Sequence, residues 1–169
     1  MIHIAGQANS KLEPLSEKQI QPNAVDLKVL KISKILDTVF EISEEEKIHR
    51  KTDEVPLTEG KWHLKPGSYE ILFQGTITIG LGEAGFVITR STLNRNGLFL
   101  TSGLYDSGYK GVMAGALHVT SGDAIITPGT RLGQFILFKS ETLSMYAGDY
   151  GIGKLHDEEK YSKQLEGVH

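Results

Sequence analysis

The stretch Ile71-Leu72-Phe73-Gln74-Gly75-Thr76-Ile77-Thr78-Ile79 limits what this chain can fold into more than any other. Its odd positions 71, 73, 77 and 79 are apolar, while Gln74, Thr76 and Thr78 face the other way. A period of two is the mark of a half-buried strand. The same texture recurs between turn signals. Phe86-Val87-Ile88-Thr89, Leu98-Phe99-Leu100 and Val112 to Val119 read as further strands, separated by Gly103 and Gly108. Ile125-Ile126 and Phe135-Ile136-Leu137-Phe138 flank Pro128-Gly129, which predicts a final strand pair. Helix is expected only in short pieces, over Leu15 to Gln21 and over Ser91 to Asn96. The fold class is therefore all-β. Residues 1–140 carry the β domain, and 141–169 form a polar C-terminal tail. Within the domain, the charge run ISEEEKIHRKTDE (42–54) predicts an exposed excursion between strands. The tail is Gly-spaced through Tyr146-Ala147-Gly148-Asp149-Tyr150-Gly151-Ile152-Gly153-Lys154 and charged thereafter. Such a composition builds no core of its own.

Composition narrows the function classes. A chain of 169 residues suits one domain. Glycine at 19 of 169, about 11% against a usual ~7%, implies many tight turns. The absence of cysteine rules out a disulfide framework, a thiolate metal site and the zinc-dependent nucleobase deaminases. A net charge of −3 gives no electrostatic case for a nucleic-acid polymer. No apolar run approaches the ~18 residues of a membrane span, and the opening MIHIAGQANSK lacks a signal-peptide layout. A cytoplasmic protein is the expectation.

Four polar clusters sit at strand ends or turns. In Gln21-Pro22-Asn23-Ala24-Val25-Asp26-Leu27-Lys28-Val29, the apolar residues 25, 27 and 29 share a face and Asp26 points to the other. Periodicity alone reads Asp26 as a carboxylate on a solvated strand face. Thr89-Arg90-Ser91-Thr92-Leu93-Asn94-Arg95 joins a strand to a helical turn. It offers either free amides and guanidinium forks for a phosphate, or a Ser N-cap beside two surface arginines. Gly103-Leu104-Tyr105-Asp106-Ser107-Gly108-Tyr109-Lys110-Gly111 puts an aspartate near an aromatic in a Gly-framed hairpin. That arrangement suits a general base beside a stacking surface, or a plain β-turn. Pro128-Gly129-Thr130-Arg131-Leu132-Gly133-Gln134 carries Arg and Gln into a strand. The six histidines have no paired metal-ligand spacing, and Trp62 reads as packing.

In order, QPNAVDLKV, LKPGSYEILF, TRSTLNRNGL, GLYDSGYKG and TPGTRLGQFILF resemble the dUTPase and dCTP deaminase superfamily over residues 20 to 140. The resemblance implies a distorted β-barrel or jelly roll, assembled as a homotrimer with shared active sites. Arg90-Ser91-Thr92-Leu93-Asn94-Arg95 is closest to the deaminase branch and its bifunctional relatives. In the deaminases a glutamate lies ten residues after the motif aspartate, and here that position is Ala116.

The resemblance therefore implies a dUTP diphosphatase that yields dUMP and pyrophosphate. A dCTP deaminase, alone or bifunctional, and a catalytically silent nucleotide-binding module are the alternatives. Asp106 is expected to activate water, and Tyr109 to pack on the sugar. Arg90, Ser91 and Gln134 are expected to hold phosphate oxygens, with Arg95 and Arg131 adding charge. Backbone of the hairpin ending at Gly111 is expected to read the base. Asp26 is expected to organise the water shell of Mg²⁺, which enters with the triphosphate. Tyr150 and Lys154 are the tail's candidates for stacking and phosphate contact.

Overall fold

The computed structural model describes residues 1–165. In chain order its strands are β1 (Lys11–Glu13), β2 (Val25–Ile35), β3 (Glu41–Ile42), β4 (Lys47–Ile48), β5 (Thr52–Glu54) and β6 (Trp62–Leu64). They continue with β7 (Gly67–Thr78), β8 (Glu83–Thr89), β9 (Leu98–Thr101), β10 (Lys110–Val119), β11 (Ala124–Ile126) and β12 (Arg131–Lys139). The helices are α1 (Ser91–Asn94) and α2 (Leu155–Leu165), with a 3-10 turn at Glu17–Gln19. His169, and the last four residues of the expected tail, lie outside the described residues.

The main sheet runs β8-β12-β2-β7-β10-β9, with β1 and β5 added on β7 and β2. All of its pairings are antiparallel. Its two ends meet. Leu100 N–H donates to Thr89 Oγ1 at 2.7 Å, and Val87 N–H donates to Ser102 Oγ at 2.9 Å. These bonds replace a backbone ladder between β8 and β9 and curl the sheet into a barrel, which leaves few open edges. Alternate residues of β2, β7, β10 and β12 fill the interior: Leu27, Ile71, Phe73, Ile77, Leu117, Phe135 and Leu137 are all buried. Trp62 is buried with them, as packing. The excursion over 42–54 is largely exposed, as its charge predicts, and holds the β3–β4 hairpin and β5.

Two expectations give way. The strands flanking Pro128-Gly129 do not pair with each other. Instead β11 pairs with β6, while β12 inserts between β8 and β2. A short turn signal marks a reversal of direction but not which neighbour the next strand finds. The tail, read as unable to build a core, borrows one. The second face of β7 carries an apolar residue, Leu72, which packs with Val112 and with Tyr161 of α2. Tyr161 is 6% exposed, and burying such a side chain stabilises by about 2 kcal/mol. The start of α2 is tied down by its own acids: Asp157 accepts from Gly151 N–H, and Glu158 from Gly153 N–H, each at 2.9 Å.

β7 begins four residues before its apolar alternation and contains a bulge. Gly75 has φ +89, and a Cβ there would lie 2.9 Å from the Glu13 carbonyl. The bulge lets β1 approach β7 closely, and only glycine tolerates both conditions.

Candidate active site

At one end of the barrel, Asp26 on β2 lies opposite Gln134 on β12. Its side chain is 0% exposed, so the solvated-face reading is wrong: the Arg90, Arg131 and Gln134 side chains close over its carboxylate. Arg90 Nε lies 3.5 Å from Asp26 Oδ1, and Gln134 Nε2 donates to the same oxygen at 3.2 Å. Arg131 Nη1 lies 3.2 Å from Oδ2, although Oδ2 accepts no well-directed hydrogen bond. Arg90 also donates to the Arg131 carbonyl at 2.8 Å, and Arg131 to the Lys18 carbonyl at 2.6 Å. The Arg90 and Arg131 side chains stay 30% and 37% exposed. A buried carboxylate thus anchors two forks whose outer donors face solvent, an arrangement suited to phosphate oxygens. The Asp26 carboxylate is enclosed between two cations.

Arg90 is itself the N-cap of α1 and makes no side-chain cap bond, so Ser91 is not the cap. The Ser91 hydroxyl is exposed beside the arginines, and Arg95 is exposed at the other end of this short helix.

The Asp106 hairpin lies at the other end of β8. Tyr105 and Gly85 exchange backbone hydrogen bonds of 2.8 and 3.1 Å. Ser107 Oγ donates to the Glu83 carbonyl at 2.6 Å, so Asp106 sits against Ala84. Its carboxylate is exposed and pairs with no side chain among the described residues. It lines a cavity of about 380 Å³ shared with the Ser140–Ala147 segment. Glu83, by contrast, is fully committed. It accepts from Asn9 N–H, Ser10 N–H and Ser10 Oγ. Burial pushes its pKa up, but these three donors and the Lys139 charge together outweigh that and hold it below its ordinary value.

A second cavity, about 430 Å³, opens beside the first, and Tyr146 lines both. That size suits a small ligand such as a nucleoside. Tyr105, Tyr109, Tyr150 and Tyr161 also line it. Tyr109 stacks edge-on with Tyr105 and Tyr146 at 5.2 and 5.4 Å, and its hydroxyl donates to the Val112 carbonyl at 2.7 Å. Burial pushes the Tyr105 and Tyr109 phenols far above their ordinary range, so both remain protonated donors. Gly111 lets Tyr109 and the tail approach closely, since a Cβ there would meet the Tyr109 hydroxyl at 2.7 Å and Gly151 Cα at 2.9 Å. Ala116 lies in the wall. Tyr150 reaches the cavity from the tail and stacks on His156 at 4.8 Å, whereas Lys154 lies just before α2 and does not line it.

The structure therefore splits the expected site in two. Arg90, Arg131 and Gln134 gather around Asp26, with Ser91 next to Arg90 in the chain; Tyr109 and Tyr150 line the tyrosine cavity, Gly111 packs against Tyr109, and Asp106 lines the smaller cavity that shares Tyr146. Arg90 lies six positions beyond Ala84, roughly 20 Å of strand. Sequence reading missed Glu70, Tyr105, Tyr146, Lys160 and Tyr161 as cavity residues. One signal was present: Leu72 is an apolar residue on the otherwise polar face of the alternating strand, and so required a cover. Among the described residues no group of three His, Asp or Glu could cage a metal ion, and no helix is long and apolar enough to cross a membrane.

A family model described as dCTP deaminase-like matches residues 2–140. A probable deoxyuridine 5'-triphosphate nucleotidohydrolase of Aeropyrum pernix is 35% identical over 138 residues, covering 80% of this chain and 86% of the relative. One of the same name from Halobacterium salinarum is 34% identical over 151 residues, covering 82% and 87%. Among solved structures, the 2'-deoxycytidine 5'-triphosphate deaminase of Agrobacterium tumefaciens superposes with a TM-score of 0.61 at 15% identity, over 94% of this chain. The chain spans 48% of that protein's length. A point mutant of the dUTPase from S. aureus phage phi11, described as coordinating a structural Mg(II) ion, gives 0.52 at 14% identity, over 84% and 97%. These two likenesses concern the fold.

Proposed function

The chain belongs to the dCTP deaminase-like family, and within it we propose that it is a dUTP diphosphatase. The observation that carries this reading is the unpaired Asp106 carboxylate, placed beside a nucleoside-sized cavity whose wall bears Ala116 and no carboxylate at that point. In the proposed reaction Asp106 accepts a proton from water as the water oxygen attacks the α-phosphorus. The bond from that phosphorus to the bridging oxygen breaks, and pyrophosphate leaves with the electron pair. Tyr109 packs the sugar. Arg90, Ser91, Arg131 and Gln134, anchored through Asp26, hold the polyphosphate, and Arg95 adds charge at the rim. Tyr150 closes from the tail, with Lys154 near it.

Mg²⁺ is part of the substrate in this reading. The described residues offer no three-ligand cage, which suits an ion that arrives on triphosphate oxygens and keeps its waters. It supplies neutralisation of the leaving pyrophosphate.

The backbone beside Asp106 and that of Arg90 lie roughly 20 Å apart along β8. That separation supports a homotrimer whose sites combine the Asp106 hairpin of one copy with the arginines of another. We further propose a cytoplasmic enzyme acting on free nucleotide and not on nucleic-acid polymers.

The test is parallel incubation of the purified protein with Mg²⁺ and either dUTP or dCTP, following pyrophosphate and ammonia. Pyrophosphate from dUTP without ammonia from dCTP is expected. Ammonia from dCTP would establish a deaminase, and silence with both would leave a nucleotide-binding module.

A further inference from the structure

The Asp106 carboxylate is exposed and pairs with no side chain among the described residues, so its place is fixed by the backbone on either side of it. On one side, Tyr105 and Gly85 exchange backbone hydrogen bonds. On the other stands Ser107, 3% exposed, whose hydroxyl joins three groups. It donates to the Glu83 carbonyl at 2.6 Å, accepts from Glu83 N–H at 3.3 Å and meets Thr142 Oγ1 at 2.8 Å. A serine hydroxyl has one proton, and the short bond to the carbonyl takes it. The Thr142 hydroxyl is then the donor to Ser107. The result is a directed chain, Thr142 O–H to Ser107 O–H to Glu83 C=O, in which each bond strengthens the next.

Thr142 belongs to the segment that leaves β12 and crosses the hairpin. Ser140 N–H donates to the Gly82 carbonyl at 2.9 Å, and Tyr146 N–H to the Ser107 carbonyl at 2.8 Å. Between these ties the segment lies close on the turn: Gly108 has φ +87, and a Cβ there would fall 2.8 Å from Met145 Cε. The same segment walls the cavity that holds Asp106. The start of the tail thus grips the aspartate's immediate neighbour twice, by a side chain and by a backbone bond.

We propose that Thr142 is a positioning residue for Asp106, acting through the Ser107 hydroxyl; this deepens the hydrolase reading and rests on it. A general base must stand within hydrogen-bond reach of the proton it takes, and a misplacement of about 1 Å costs up to ~100-fold. A carboxylate without a side-chain partner takes that precision from its hairpin, which the hydroxyl chain stiffens from the tail side. The nucleoside cavity does not depend on the chain. Its Tyr146 keeps a backbone bond to Ser107, and its Tyr109 keeps the hydroxyl bond to Val112.

The competing role is a mere fastening of the tail. Thr142→Val keeps the shape of the side chain and removes the donor, whereas Thr142→Ser keeps the donor. Turnover of dUTP with Mg²⁺ is followed on the full chain, together with amide exchange at Tyr109, whose N–H closes the Asp106 turn at 3.0 Å. Thr142→Val is expected to lower kcat about fivefold, the worth of one neutral hydrogen bond, and to leave KM within about twofold. Exchange at Tyr109 should speed by about the same factor while the amides of β12 keep their rates, and Thr142→Ser should restore both. In a Ser107→Ala background, Thr142→Val should add nothing, because the link to Asp106 is already cut. A raised KM with unchanged kcat would overturn the proposal, as would exchange that speeds equally in β12, or losses that add across the two sites. Exchange is read without turnover, so a wild type that releases no pyrophosphate from dUTP sinks the hydrolase reading, whereas an unmoved Tyr109 amide in Thr142→Val sinks the coupling.

Discussion

A single carboxylate can be misplaced by periodicity and still be the residue on which a site turns. Asp26 alternates with Val25 and Leu27, yet all three are buried, because Arg90, Arg131 and Gln19 of the 3-10 turn pack against Asp26 there. Its energy comes from two guanidinium groups that solvent still reaches. Asp26→Asn is therefore expected to cost about 1–3 kcal/mol, less than the ~3–5 of a fully sealed pair. A urea midpoint shift with unchanged slope would report it. Weaker binding of pyrophosphate should accompany the shift, since both arginines lose their anchor, and an unmoved midpoint would remove Asp26 from that role.

At the scale of elements, segments remote in sequence are held by a few buried polar bonds. The N-terminal arm is fastened to β8 by Glu83, which accepts from three donors at Asn9 and Ser10. The folded protein holds this carboxyl below its ordinary pKa of 4.5, so the unfolded chain binds its proton more readily. The resulting stabilisation is present above that ordinary value and is lost as pH falls through the lowered folded value. Amide exchange at Asn9 and Ser10, taken relative to its intrinsic pH dependence, should accelerate as pH falls below that ordinary value. Glu83→Gln should speed it already at neutral pH, by a local cost of about 1–3 kcal/mol, and flatten the acid dependence. A variant with the wild-type acid profile would show that another group controls the arm. The tail obeys the same logic with apolar contacts, since α2 docks through Tyr161 on Leu72 and Val112.

For the whole molecule, the decisive fact is that the two groups of candidate residues, around Asp106 and around Arg90, sit at opposite ends of β8. Asp106→Asn is expected to abolish turnover while nucleotide binding survives, and Arg90→Ala with Arg131→Ala to lose activity through the phosphates. If each site joins halves from two copies, mixing and co-refolding the two inactive proteins should restore activity. Random pairing gives about a quarter of the wild-type rate, the chance that two intact halves meet at one interface. No recovery from mixed oligomers would mean that each chain works alone. Net charge also finds its place at this scale. The −3 of the chain is no obstacle to a triphosphate, because acids crowd the excursion over 42–54 while Arg90 and Arg131 face outward together.

The all-β class, the strand positions and the hairpin around Asp106 were legible in the residues alone, because alternation and turn chemistry act within a few residues of themselves. Motif order was legible too, and with it the absence of a carboxylate at 116. Pairing was not: β12 lies between β8 and β2, beyond the reach of any local signal at Pro128-Gly129. Nor was the burial of Asp26, which depends on arginines 64 and 105 residues away. The same holds for Glu70, which meets Ala116 only through the register of β7 on β10 and Lys160 only through the docking of α2. Local pattern determines which residues become strands and turns. Which side chains then share a cavity is decided by long-range register and by what covers each face, and those exist only in the folded chain.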